Sequence, residues 1–283
     1  MVNQRYVENE LENQIEKKEN ENNVIYFSKF FGKNAFDKVL DLLKIKAKHQ
    51  KVLFVVSNEN YIEYNDFQNS EFEAVILSIC NYDYKTINEL AKTCDDNIKC
   101  VLGIGGDFEI GVAKYIASVK GLEMIAYIDR FSSIDSFLPY SFLLKNNIIQ
   151  KIDSKNIDYM FIDSDELISF STRDILVDSV FNIISKLGFI LEKFISCCFE
   201  KDNGYSSYVK DALNIYTRLN EFLNKSLDLK DEDILSLMDI NIEYADTLSK
   251  MGYTAQDKES QFAFIYKYLN SQTILTINSL RAI

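Results

Sequence analysis

Histidine is almost missing from this chain: among 283 residues there is one, His49. A site built on more than one imidazole is therefore excluded, and His49 itself, within Lys46–Ala–Lys–His–Gln–Lys51, reads as a solvated loop residue. Positive charge is also short, with 31 Lys+Arg against 43 Asp+Glu and a net charge of −12. That balance excludes the basic footprint of nonspecific nucleic-acid binding and attraction to anionic membrane surfaces. No apolar run reaches the ~20 residues of a membrane span. No spacing of the five cysteines (Cys80, Cys94, Cys100, Cys197, Cys198) forms a disulfide framework or a metal clip. They read as free thiols. With no signal peptide, that composition leads us to expect the cytoplasm. Proline occurs once; beside many Asn, Lys and Ile, this reads as coding bias rather than a structural device.

What is present is enough apolar material for a sizeable core, 47% of the chain. At about 100–200 residues per domain, one large or two modest domains are expected. Residues 1–22 are polar and read as a tail. From Val24 onward, short β-branched runs alternate with helical periodicity, the pattern of βαβ units and a parallel sheet. The expected strands are Val24–Phe27, Val52–Val56, Ala74–Leu77, Val101–Ile104, Met124–Tyr127 and Tyr159–Ile162. The expected helices between them are Ala35–Lys44, Tyr84–Cys94 and Phe108–Val119. Past about Asp165 strand signals stop, and Thr172–Phe199, Ser206–Asn224, Asp231–Met251 and Asp257–Thr276 carry apolar residues at helical spacing. The reading is a polar tail (1–22), a Rossmann-like nucleotide-binding α/β domain (23–165) and an all-α domain (166–283).

Val101–Leu–Gly–Ile–Gly–Gly106 is a strand running into glycines ahead of a helix closed by Gly121. Such a turn lets a phosphate approach the backbone, and the helix start offers free N–H groups to it. A tight turn with no ligand is the competing reading. Asp107 favours the latter, because a carboxylate at the helix start competes for the same N–H groups. Asp163, Asp165 and Glu166 read as an acidic helix start near its positive end, with a cation held through oxygens as the alternative. Asp228, Asp231, Glu232 and Asp233 read the same way. The tyrosines Tyr205, Tyr208, Tyr216, Tyr244 and Tyr253 read as core-edge residues.

The segment Gly103–Ile–Gly–Gly–Asp–Phe–Glu–Ile–Gly–Val–Ala–Lys114 resembles the GxGGGxxxDxAK signature of glycerol-1-phosphate dehydrogenase. That enzyme is grouped with glycerol dehydrogenase, iron-containing alcohol dehydrogenase and dehydroquinate synthase. Val52–Leu–Phe–Val–Val–Ser–Asn–Glu–Asn60, Ser132–Ser–Ile–Asp135, Asp158–Tyr–Met–Phe–Ile–Asp163 and Ile183–Ile–Ser–Lys186 are similar to further stretches of the family, in the family's order. Together they cover about residues 24–270. The resemblance implies NAD or NADP on the first domain and zinc or iron on the second. Its matched cofactor positions are Gly103, Gly105, Gly106, Lys114, Ser133 and Asp135, with Asp107 standing in the third glycine's place. Gly111 replaces the signature's Asp, and Asp129–Arg130 replaces a Pro-Thr pair.

The family's metal ligands are one Asp and two His. Under the resemblance the Asp position is Asn182, the first His position is Gln261, and the second has no counterpart. Amide oxygens bind zinc poorly, so a degenerate site without metal is expected. Three functions follow. One is a divergent member that has lost metal-dependent catalysis and keeps a nucleotide or other anionic ligand, with a regulatory or accessory role. A second is an active NAD(P)-dependent oxidoreductase on a polyol or keto phosphate, with an unusual metal or none. The third is a structural or interaction protein. The implied partner is a small molecule or nucleotide; oligomeric state stays open.

Overall fold

The computed structural model of the chain describes residues 28–57, 69–79, 83–130, 134–168, 172–199, 206–224 and 231–253. The expected strand Val24–Phe27 and helix Asp257–Thr276 lie outside them, as do Ser133 and Gln261. Two compact units are formed, Met1–Ser132 with Pro139–Ser169, and Ser133–Leu138 with Phe170–Ile283.

The first unit is an α/β layer structure. Its strands are β1 (Ser28–Gly32), β2 (Lys51–Ser57), β3 (Glu73–Ile79), β4 (Ile98–Ile104), β5 (Glu123–Ile128) and β8 (Tyr159–Asp163), all parallel, in the order β1-β8-β5-β4-β2-β3. β3 lies on one side of β2 and β4 on the other, so the winding reverses direction there. In this architecture ligands bind outside the carboxyl ends of the strands at such a reversal. The central strands are buried almost throughout, whereas β1 and β3 at the edges are half-buried. Burial on both faces explains their unbroken apolar runs. One face packs Val52, Phe54, Val56, Leu102, Ile104 and Ile125 against Ala35, Val39 and Leu43 of helix α1 (Ala35–Lys46).

Helix α2 is Tyr84–Thr93 and α3 is Asp107–Lys120. The other face receives α3 at close range. A Cβ added to Gly103 would lie 2.9 Å from Cβ of Ala113 and 3.2 Å from Cδ1 of Ile110. Gly103 thus serves the approach of helix to strand.

A hairpin absent from the sequence reading follows: β6 (Tyr140–Lys145) and β7 (Ile148–Asp153) pair antiparallel. Its turn residues Asn146 and Asn147 have φ of 57° and 59°, as a two-residue turn with both central residues left-handed requires. Two side-chain contacts hold it to α3: Lys114 Nζ donates to the Tyr140 carbonyl at 2.7 Å, and Ser141 Oγ donates to the Gly111 carbonyl at 2.6 Å.

The second unit is helical: a 3-10 turn Ile134–Phe137, then α5 (Thr172–Ser185), α6 (Leu187–Phe199), α7 (Ser206–Asn224) and α8 (Asp231–Lys250), after a short α4 (Ser164–Ile168) that belongs to the first unit. The expected single helix Thr172–Phe199 is divided at Lys186. There Ser185 Oγ donates to the Asn182 carbonyl at 2.7 Å, and Lys186 N bonds Ile183 O at 3.2 Å, one residue short of helical spacing. A hydroxyl that takes a backbone carbonyl competes with the helix ladder and bends it. α8 packs on α5, α7 and the 3-10 turn.

Candidate functional site

The glycine turn forms between β4 and α3. Gly105 has φ of 133°, open to glycine and strained for other residues, and its N–H bonds the Tyr127 carbonyl at 3.1 Å. Gly106 is the N-cap of α3. Asp107 is the first helical residue and half-exposed. A second carboxylate also reaches the turn. Glu109, 9% exposed, reaches back so that the Gly106 N–H donates to its Oε2 at 3.0 Å. A Cβ on Gly105 would lie 2.8 Å from that oxygen. Burial pushes the Glu109 carboxyl above its ordinary range, against the hydrogen bonds from its own N–H and that of Gly106 and the nearby Arg130 charge. A capping box has this spacing, with an acid three residues past the cap; that was the signal available in Gly106–Asp–Phe–Glu109.

The remaining cofactor-type positions go to two places. Gly103 is spent on helix packing and Lys114 is fully buried against the hairpin. Asp135 is in the helical unit, on the 3-10 turn, where its Oδ1 lies 2.9 Å from Lys186 Nζ with both side chains at 2% exposure or less. No sequence signal links residues so far apart.

Asn182 is on α5, buried at 7% exposure, one helical turn before Lys186. Near it, the Tyr216 and Tyr244 hydroxyls share a hydrogen bond of 2.7 Å, and both lie within hydrogen-bond reach of the Ile183 carbonyl, at 3.2 and 3.3 Å. Burial pushes Tyr216 up to about 12 and Tyr244 well above the ordinary phenol range. Both stay neutral donors. Asn241 Nδ2 donates to Ser179 Oγ at 3.0 Å, and its buried Oδ1 has no hydrogen-bond partner among the described residues. His49 lies in the other unit, exposed, with φ of 58°, at the amino ends of β2 and β3. It lines a surface depression of about 420 Å³ with Glu71 and Glu73.

Solved structures share this arrangement. An iron-containing alcohol dehydrogenase from Thermotoga maritima superposes with a TM-score of 0.58 at 14% identity, over 85% of this chain and 70% of that one. Glycerol dehydrogenase from Schizosaccharomyces pombe gives 0.60 at 17% identity, over 85% and 64%. An archaeal halo-thermophilic Red Sea brine pool alcohol dehydrogenase gives 0.60 at 16%, over 83% and 66%. The fold is that of the iron-containing alcohol and glycerol dehydrogenases. No protein-family model and no curated protein sequence matches the chain.

Among the described residues, those at the positions the resemblance points to are a poor match for the groups this dehydrogenase fold implies. For a metal, the helical unit offers at Asn182 a buried neutral amide, a poor ligand for zinc. Among the described residues no group of three or more His, Cys, Asp or Glu could hold a metal ion. For a dinucleotide, the turn's Gly106 N–H is taken by Glu109. No helix among the described residues is long and apolar enough to cross a membrane.

Proposed function

We propose that this chain is an accessory or regulatory protein on a dehydrogenase fold, without metal-dependent hydride transfer, whose partner is a small molecule bound by the α/β unit. One observation carries the reading. The position that the family resemblance gives to the ligating aspartate is Asn182, and the chain's single histidine is His49 in the other unit. Oxidation of a secondary alcohol needs its alkoxide stabilised, and a Lewis-acid metal is the family's means. Asn182 and the Gln261 position supply neutral amides only.

The observation that favours a metal-independent oxidoreductase is Lys186, a fixed cation one turn from Asn182. Its ammonium is neutralised by Asp135 at 2.9 Å, which leaves it little charge to lend a substrate. The test is direct. Purified protein, supplied in turn with zinc, iron, manganese and magnesium, is assayed with dihydroxyacetone phosphate and NADH or NADPH, and its metal content is measured. The expected outcome is no turnover and substoichiometric metal. Turnover that tracks one metal per chain overturns the reading.

A further inference from the structure

Besides the short α4, three helices of the α/β unit start at the carboxyl edge of the sheet, and at each of these starts a carboxylate of the chain itself takes a backbone N–H. At α1, Ala35 N donates to Asp163 Oδ2 at 2.9 Å. At α2, Thr86 N donates to Asp83 Oδ2 at 2.9 Å. At α3, Gly106 N donates to Glu109 Oε2 at 3.0 Å. Asp163 is no local cap: it is the last residue of β8, 128 positions from Ala35, and its Oδ1 also accepts from Asp165 N at 3.0 Å.

Helix N-termini at this edge are the groups on which phosphates are held in α/β proteins, through free N–H groups and a partial positive charge. Here the same groups hold carboxylates. The charge around them is of the same sign. Asp107, Asp129, Asp165 and Glu166 follow the carboxyl ends of β4, β5 and β8. Of the cations at this edge, Arg130 and Lys33 are ion-paired with Asp129 at 3.2 Å and Asp165 at 2.9 Å, and Lys85, in the first turn of α2, lies near Asp83. A phosphate arriving at α3 would meet an occupied donor and a like-charged rim.

Among these carboxylates Glu109 is the one placed on the glycine turn. It fills the space that the missing side chain of Gly105 leaves open, at a separation no Cβ tolerates. We propose that Glu109 is an internal substitute for a phosphate, and that it excludes phosphoanhydride ligands, dinucleotides included, from the Gly103–Gly106 turn. Glu109 is thus a specificity-determining residue, and the ligand class it leaves to the α/β unit lacks a pyrophosphate at this turn.

This inference stands apart from the reading of the helical unit, because neither metal nor turnover enters its test. The full chain, E109A and E109Q are titrated with inorganic pyrophosphate and with NADH by calorimetry, with backbone amide exchange followed at residues 105–109. The unmodified chain is expected to bind neither at the turn. E109A frees the Gly106 N–H and removes a charge, and its pyrophosphate affinity should rise at least about tenfold, ~1.4 kcal/mol. E109Q loses the charge but keeps an oxygen for the Gly106 N–H, so it should fall between the two; it also serves where E109A does not fold. Pyrophosphate binding by neither folded variant overturns the proposal. So does protection of the 105–109 amides by NADH in the unmodified chain.

Discussion

Asp135 and Glu109 are both buried carboxylates, one in each unit, and they are satisfied in opposite ways. Asp135 faces an ammonium at 2.9 Å in a site with almost no solvent. Glu109 is held by backbone N–H groups, with Arg130 as a nearby charge. An ion pair neutralises its carboxylate locally and makes each partner hostage to the other. A backbone-held carboxylate keeps its charge and its cost of burial. The helical unit thus sets this acid against a buried cation, whereas the α/β unit holds its acid on the glycine turn mainly through backbone N–H groups.

The comparison breaks most visibly at the ion pair. Lys186→Met or Asp135→Asn leaves one buried charge without its partner and should cost about 3–5 kcal/mol in a denaturant melt. The double variant should cost less than the sum of the two, as a double-mutant cycle would show. Additive losses would mean the two groups are satisfied separately. Next is Gly105→Ala. It strains a left-handed backbone and drives a Cβ to within 2.8 Å of the Glu109 oxygen, for a loss of about 1–3 kcal/mol. Combined with Glu109→Ala, which removes that contact, the cost should fall.

Tyr244→Phe sharpens the contrast, because it deletes a neutral buried group beside the pair. It removes the hydroxyl that meets Tyr216 and the Ile183 carbonyl, at about 1 kcal/mol and with no change in pH dependence between 4 and 8. Glu109→Gln has the smallest expected effect, and its sign is informative. Burial raises the folded carboxyl above its ordinary value of 4.5, so the folded chain holds that proton more tightly than the unfolded one. The stability this contributes is complete below the ordinary value and is lost as pH rises through the raised one. Melts of the unmodified chain should lose ground to Glu109→Gln over that interval. A difference independent of pH would count against the burial argument.

The layered fold was legible because strand burial writes itself as apolar runs: β2, β4, β5 and β8 contain the expected segments and extend them by one to three residues at an end. The β6–β7 hairpin was missed, although Asn146–Asn147 between two short apolar runs carried its turn signal. The division at Lys186 was not legible, since a Ser hydroxyl bonding its own helix looks like any other Ser. At the candidate site the turn is legible in Gly103, Gly105 and Gly106, and Asp107 marks the helix start as acidic. Glu109 was passed over because it falls within an apolar helix start. The Asp135–Lys186 pair joins positions far apart in the chain, and local pattern carries no trace of it.

The 3-10 turn Ile134–Phe137 belongs to the helical unit although its flanking chain belongs to the α/β unit. During synthesis Asp135 therefore leaves the ribosome well before its partner Lys186. A fragment beginning at residue 170 would hold α5 to α8 and carry the buried Lys186 ammonium without Asp135. The helical unit is thus discontinuous in the chain, and a piece cut to hold all of it must bring residues 133–138, as a peptide in trans or by a permuted chain that joins them to its start.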